Sequence, residues 1–249
     1  MNRQWDAEEY AKNFQFVPQY GADLLELLEV KEGERILDLG CGNGALTARL
    51  HALDADVTGL DSSLDMLHLA RESYPHLTFL HGDATDFRLP GQVDAVFSNA
   101  VFHWILDQHA LLNCIADALN PGGRLTCEFG GKGNTELIHG ALTRAFTKRG
   151  LPYRNTFYFP TVGEYAPLLE QHGLRVTYAA LFDRPTELKG ENGLADWMDM
   201  FLPQAFEGIS LCIAEEIKRE AVQELAPILR RDGTWYADYV RIRIKAMKV

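Results

Sequence analysis

Cysteine is scarce in this chain. There are four in 249 residues, Cys41, Cys114, Cys127 and Cys212, with no C-x-x-C pair and no regular spacing. That argues against a disulfide scaffold or a structural zinc site and for a reducing, cytoplasmic setting. No apolar run approaches the roughly 20 residues that span a bilayer. The opening MNRQWDAEEY has no apolar core of the kind a secretory leader carries, so a soluble protein without a membrane partner is expected. Basic charge is also in deficit, with 24 Lys and Arg against 35 Asp and Glu and a net charge of −11. A nucleic-acid backbone is therefore not the expected partner.

Bulk composition is that of a globular protein, at 47% hydrophobic and 24% charged residues. The specific signal is local. In Arg35–Gly44, RILDLGCGNG, a short apolar run stops directly before Gly40, Gly42 and Gly44, and Ala45 to Leu53 then reads as helix. A buried strand, a turn cleared of side chains and a helix N-terminus with free N–H groups suit a ligand that approaches the main chain closely.

The rest of the chain is organised around that turn. Residues 5–30 read as helical, broken at Pro18 and Gly21, and carry Trp5, Tyr10, Phe14, Phe16 and Tyr20. These aromatics either pack on the core or cover a ligand. Asp56–Leu60, Leu77–Leu80, Val93–Phe97 and Arg124–Phe129 read as strands, with helices at Ser63–Glu72 and Leu111–Leu119. The alternation predicts βαβ units and a parallel sheet covered on both faces. Further on, Thr135–Arg149 and Val162–His172 read as helices and Leu174–Phe182 as a strand. A detour from Arg184 to Arg231 holds WMDMFLPQAF and a helix whose Ile213, Ile217, Ala221 and Ile228 form one stripe. In the last segment, Trp235–Val249, Val240, Ile242 and Ile244 alternate with Arg241, Arg243 and Lys245, the period of a half-exposed antiparallel strand at or near a sheet edge. The expected organisation is one domain, 1–249. It comprises an N-terminal helical lid (1–30), a core sheet (31–182 and 232–249) and a helical cap (184–231).

Taken alone, Gly40-x-Gly42-x-x-Ala45 with Asp61 about 20 residues on also satisfies a dinucleotide fingerprint. Asp38 weighs against that. It stands two residues before the first glycine, where a pyrophosphate gains nothing from a carboxylate and a cationic ligand does. Asp83 closes the third strand and can accept from an exocyclic amine such as adenine N6. Acids at successive strand ends describe a pocket for a positively charged nucleoside.

ILDLGCGNG, the acid at Asp61, the corner Gly82-Asp83-Ala84 and VDAVFSNAVFHW at 93–104 resemble the class I S-adenosylmethionine-dependent methyltransferases, and among them the trans-aconitate type. The resemblance covers about residues 30–130. It implies a Rossmann-like three-layer αβα sandwich on a mostly parallel seven-stranded sheet with an antiparallel C-terminal strand, plus the small helical cap. By motif, Asp38, Gly40, Cys41, Gly42, Asn43 and Gly44 would line the methionine part of S-adenosyl-L-methionine. Asp61 would take both ribose hydroxyls, Ser62 and Met66 would border the adenine, and Asp83 and Ala84 would bind its amine and ring. Asn99 and Ala100 would flank the sulfonium. The implied reaction is in-line SN2 methyl transfer to a small-molecule acceptor, a carboxylate or another O, N or S nucleophile, leaving S-adenosyl-L-homocysteine. Two alternatives stay open: a cofactor-binding protein without methyl transfer, and an NAD-type oxidoreductase.

An acceptor ionised at neutral pH needs no base, whereas a phenol or amine does. His103 is the candidate base, and Trp104 beside it a candidate wall or indole donor to a carboxylate. Tyr10, Phe14, Phe16, Trp197 and Phe201 are the candidate substrate contacts. Neither His103, Asp107 and His109 nor His76, His81 and Asp83 has dedicated ligand spacing, so no metal is expected. The chain is expected to act as a monomer or homodimer.

Overall fold

The computed structural model describes residues 23–249. The chain forms two compact units. One is drawn from the chain up to Lys132, from Tyr158–Leu181 and from Arg241–Val249; the other from Gly133–Phe157 and Phe182–Val240.

The first unit is built on a seven-stranded sheet in the order β3-β2-β1-β4-β5-β10-β6. Its strands are β1 (Arg35–Leu39), β2 (Asp56–Asp61), β3 (Thr78–His81), β4 (Val93–Asn99), β5 (Leu119–Gly130), β6 (Leu174–Asp183) and β10 (Val240–Lys248). β1 to β5 pair in parallel and β10 runs antiparallel to β5. β10 lies between β5 and β6, which makes it near-edge. Strand order reverses at β1, with β2 on one side and β4 on the other, and ligands bind outside the carboxyl ends of strands at such a switch point.

Burial on both faces explains why β1 reads as an apolar run. Ile36 packs on one side with Leu24, Leu25 and Leu28 of α1 (23–28) and Leu46 and Leu50 of α2 (Ala45–His51). Leu37 and Leu39 face the other side, toward Leu111, Leu112 and Ile115 of α4 (Gln108–Ala118) and Tyr165 and Leu169 of α6 (Val162–Gln171). Alternation places Asp38 on the Ile36 side, under α2. On the β2 flank, α3 (Leu64–Ser73) is capped by Ser63, whose Oγ accepts from Met66 N–H at 3.3 Å. Arg124 of β5 anchors the end of α1. Its guanidinium forks onto Glu34 at 2.8 and 2.6 Å and donates to the Leu28 and Glu29 carbonyls at 2.7 and 3.0 Å.

The second unit is larger than the expected cap, because it also takes in Gly133–Phe157, and it is not wholly helical. β7 (Thr186–Leu188), β8 (Arg230–Arg231) and β9 (Thr234–Ala237) form a small antiparallel sheet in the order β7-β9-β8. Strands this short have too few residues to display a period. Trp235, expected in the final strand of the main sheet, belongs here instead. α5 (Glu136–Thr147) and α8 (Leu211–Leu229) are joined by ion pairs of Arg144 with Glu224 and of Lys148 and Arg149 with Glu220. The buried stripe of α8 is Ala214, Ile217, Ala221, Leu225 and Leu229, whereas Ile213 is 38% and Ile228 50% exposed. Four-residue steps drift by about 40° at 3.6 residues per turn, which carries Ile213 to the margin of the stripe. Among the described residues no helix is long and apolar enough to cross a membrane. Cys41, Cys114, Cys127 and Cys212 are all free thiols.

Candidate active site

The glycine turn leaves β1 and enters α2. Gly40 has a φ of +79°, and a Cβ built there would stand 2.1 Å from Val101 Cγ2, so no side chain fits. Gly42 differs. Its φ is +53°, and among the described residues beyond its chain neighbours a built Cβ would have only Met66 Cε within 4 Å, at 3.8 Å. The backbone at Gly42 thus has room above it for a ligand, bordered by a buried methionine. Asn43 Oδ1 accepts from Ala45 N–H at 3.3 Å and steadies the start of the helix.

Asp38 is 2% exposed, and its Oδ2 accepts from the Thr47 hydroxyl at 2.6 Å. Burial pushes its carboxyl from the ordinary 3.8 to about 7; Thr47 opposes the shift and the charge of Asp61 adds to it. Among the described residues no cation offsets this acid. Asp61, at the end of β2, accepts from Gly42 N–H through Oδ2 and from Ser63 N–H through Oδ1, both at 2.8 Å. It thereby clamps the glycine turn to β2. Burial raises its carboxyl too, against those backbone donors. Each oxygen keeps a second lone pair for a ligand hydroxyl. Cys41 is buried, and desolvation followed by the Asp38 and Asp61 charges holds its thiol well above the ordinary range, so it fills space and is no nucleophile.

The end of β3 is tied to the same place: Gly82 N–H donates to Asp61 O at 3.0 Å, and His81 Nε2 lies 3.2 Å from Ser62 O. Asp83 follows directly, with Ala84 beside it. Its Oδ1 accepts the Thr85 N–H at 2.9 Å and the Thr85 hydroxyl at 2.7 Å, which holds its carboxyl below the usual range. It is ionised where Asp38 is not fully so.

β4 closes the array. Asn99 is its last residue, and the half-buried Ala100 takes a left-handed φ of +63°, uncommon for a residue with a side chain. Ala100 N–H donates to Glu128 O at 2.7 Å, which holds that conformation. The 3-10 turn Phe102–Trp104 follows. His103 is buried there: its Nδ1 accepts from Gly130 N–H, the last residue of β5, at 3.1 Å, and its carbonyl accepts from Tyr158 N–H at 3.0 Å. With Nδ1 accepting, the ring proton sits on Nε2, and the neutral imidazole is a donor there. The ring stands 5.1 Å from Trp104 and 6.0 Å from Phe159, centroid to centroid.

Of the expected substrate contacts, Tyr10, Phe14 and Phe16 lie outside the described residues. Trp197 and Phe201 belong to the interior of the second unit. Trp197 is 3% exposed and its indole N–H donates to Tyr239 Oη at 2.6 Å, with the Phe201 ring 5.3 Å away. The sequence did not point to Thr47, Val101, Ser98 or Gly130. Ser98 Oγ donates to Leu39 O at 2.7 Å and locks β4 to β1 at the turn. Thr47, one helical turn past the last glycine, had a readable cue in its hydroxyl; a backbone donor such as Gly130 has none.

A family model described as a methyltransferase domain matches residues 36–123, from β1 into the start of β5. An uncharacterized methyltransferase of Schizosaccharomyces pombe is 31% identical over 260 residues, covering 98% of both chains. A trans-aconitate 2-methyltransferase of Rhodopseudomonas palustris is 36% identical over 126 residues, covering 50% of this chain and 49% of its own. Among solved structures, the phosphoethanolamine N-methyltransferase 2 of Haemonchus contortus, in complex with S-adenosylhomocysteine, superposes with a TM-score of 0.59. That match has 18% identity and covers 92% of this chain and 52% of that one, a likeness of fold. An acid-lined glycine turn at the switch point of this sheet and a full-length relative at that identity agree: the chain belongs to the methyltransferase family.

Proposed function

We propose that this chain transfers a methyl group from S-adenosylmethionine to a small-molecule acceptor whose nucleophile is already ionised at neutral pH, a carboxylate foremost. One observation carries this. Asp38 is a buried acid behind the glycine turn, accompanied by a hydroxyl and a second carboxyl and, among the described residues, by no cation. A diphosphate would raise that electrostatic cost, whereas a sulfonium and an ammonium relieve it. The open space over Gly42 accommodates such a ligand against the main chain. The residues present therefore fit the cofactor.

In that fit Asp38 and the turn Gly40–Gly44, with Cys41 and Asn43, hold the methionine end. Asp61 binds the ribose hydroxyls, Ser62 and Met66 border the adenine, and Asp83 and Ala84 meet its amine and ring nitrogen. Asn99 and Ala100 bound the reacting end. When bound, the cofactor supplies a methyl group on a leaving group that needs no activation, displaced in line. The protein's task is placement and exclusion of water, and near-attack geometry accounts for much of such an acceleration.

His103 fits the role of a hydrogen-bond donor to an anionic acceptor oxygen. It does not fit that of a base, since a neutral ring with Nδ1 occupied has no lone pair for a proton. The relatives named for trans-aconitate, an anion of a carboxylic acid, support the same acceptor class. Formation of S-adenosylhomocysteine, assayed across small carboxylates, phenols, thiols and amines, tests the proposal. Turnover with carboxylates is expected; turnover with amines alone would overturn the acceptor class. Calorimetry with S-adenosylhomocysteine and with NADH tests the cofactor, and tight binding of NADH alone would overturn it. Binding of S-adenosylhomocysteine without turnover of any acceptor would leave a cofactor-binding protein.

A further inference from the structure

Away from the cofactor turn, two histidines distant in sequence meet nitrogen to nitrogen. His109 lies in the first turn of α4, His172 caps the end of α6, and His109 Nδ1 stands 3.0 Å from His172 Nε2. The rings are tilted by 51° with centroids 5.2 Å apart, so they meet edge to edge and do not stack. A third residue orders the pair. Asn113, one turn along α4 from His109, presents Oδ1 2.8 Å from His172 Nδ1. That amide oxygen fixes the proton of His172 on Nδ1 and leaves the lone pair of Nε2 directed at His109.

We propose that His109 and His172 form a binding site for a divalent transition-metal ion of the zinc or nickel class, with Asn113 as the group that orients one ligand. The site lies outside the methyl-transfer machinery and does not depend on how that machinery is read. A zinc ion holds imidazole nitrogens at about 2.0–2.1 Å, so two tetrahedral ligands stand about 3.3 Å apart. The pair at 3.0 Å needs only a slight opening. A ligating histidine that gives its other N–H to a carbonyl oxygen is the usual supported arrangement at such centres. Protons balance as well: the hydrogen between the rings moves from His109 Nδ1 to its own Nε2, and both facing lone pairs become available without net loss.

The pair is reachable from solvent. His109 and Gln171 line a cleft of about 450 Å³, together with Asp107 and Glu164. Among the described residues no group of three or more His, Cys, Asp or Glu could hold a metal. Two imidazoles alone would leave the remaining positions of a four-coordinate ion to solvent.

The test is calorimetric titration of the chelator-treated full chain with Zn(II) and with Ni(II). The wild type should take up one ion per chain. His109→Gln and His172→Gln should each abolish that uptake, and Asn113→Leu should weaken it by about tenfold. All three should bind S-adenosylhomocysteine as the wild type does, which shows them folded and keeps this question separate from the cofactor's. His76→Gln is the control. His51 and His76 also bring their rings to 5.5 Å, but His51 Nδ1 is directed at Ala55 O at 3.3 Å, so uptake should be unchanged. No uptake by the wild type, or stoichiometric uptake retained in either His109→Gln or His172→Gln, would overturn the proposal.

Discussion

At the scale of single residues, the chemistry turns on where protons sit. Asp38 holds a carboxyl pushed by burial from 3.8 to about 7. Between those values the folded chain keeps a proton that the unfolded chain has released, so this residue makes stability fall as pH rises through that window. Asp38→Asn keeps an acceptor for Thr47 and removes the charge. In urea unfolding of the ligand-free chain, the variant should gain about 2–4 kcal/mol over wild type near pH 8, and the gain should vanish toward about pH 4. An equal gain at both pH values would mean that Asp38 does not ionise there. Asp61→Ala should weaken binding of S-adenosylhomocysteine by about 1–3 kcal/mol through lost hydrogen bonds, measured by calorimetry. His103 yields the clearest kinetic signature. With a carboxylate acceptor, kcat should be flat from about pH 6 to 9, where a histidine base would impose a fall on the acid side. His103→Gln, which retains a donor, should keep more activity than His103→Phe.

At the scale of elements, the strand ends were readable because physical chemistry marks them in short words. An apolar run that stops at a glycine, or at an acid before one, has few meanings. β2 and β4 proved longer than their apolar cores by polar residues at their carboxyl ends, Asp61 on one and Ser98 and Asn99 on the other. Polar side chains broke the hydrophobic pattern there, which is why the predicted strands stopped short. The fork of Arg124 on Glu34 was invisible to any local pattern, since its partners lie 90 residues apart. Both side chains are largely buried, so removing one leaves the other charged and unpaired. Arg124→Met should cost about 3–5 kcal/mol in denaturant unfolding, and Glu34→Gln should cost less because its amide still accepts from the guanidinium.

At the scale of the whole molecule, the parallel sheet and the position of its glycine turn followed from the alternation of strands and helices. The second unit did not. Its strands are two to four residues long, and its first segment, Gly133–Phe157, is separated from the rest of it by a return into the first unit. Sequence order therefore hid what contacts join. The same limit explains the histidine pair, whose members lie 63 residues apart on helices that each look ordinary.

Because β10 follows β1 to β6 in sequence yet lies between β5 and β6, the large sheet stays divided until β10 is in place. A chain cut after Asp238 would expose two raw backbone edges at once, one of them on the long strand that carries Glu128 and Gly130. Such edges are templates for pairing with other chains. Loss of the C-terminal residues should therefore produce aggregates from the ribosome onward, long before any question of catalysis arises.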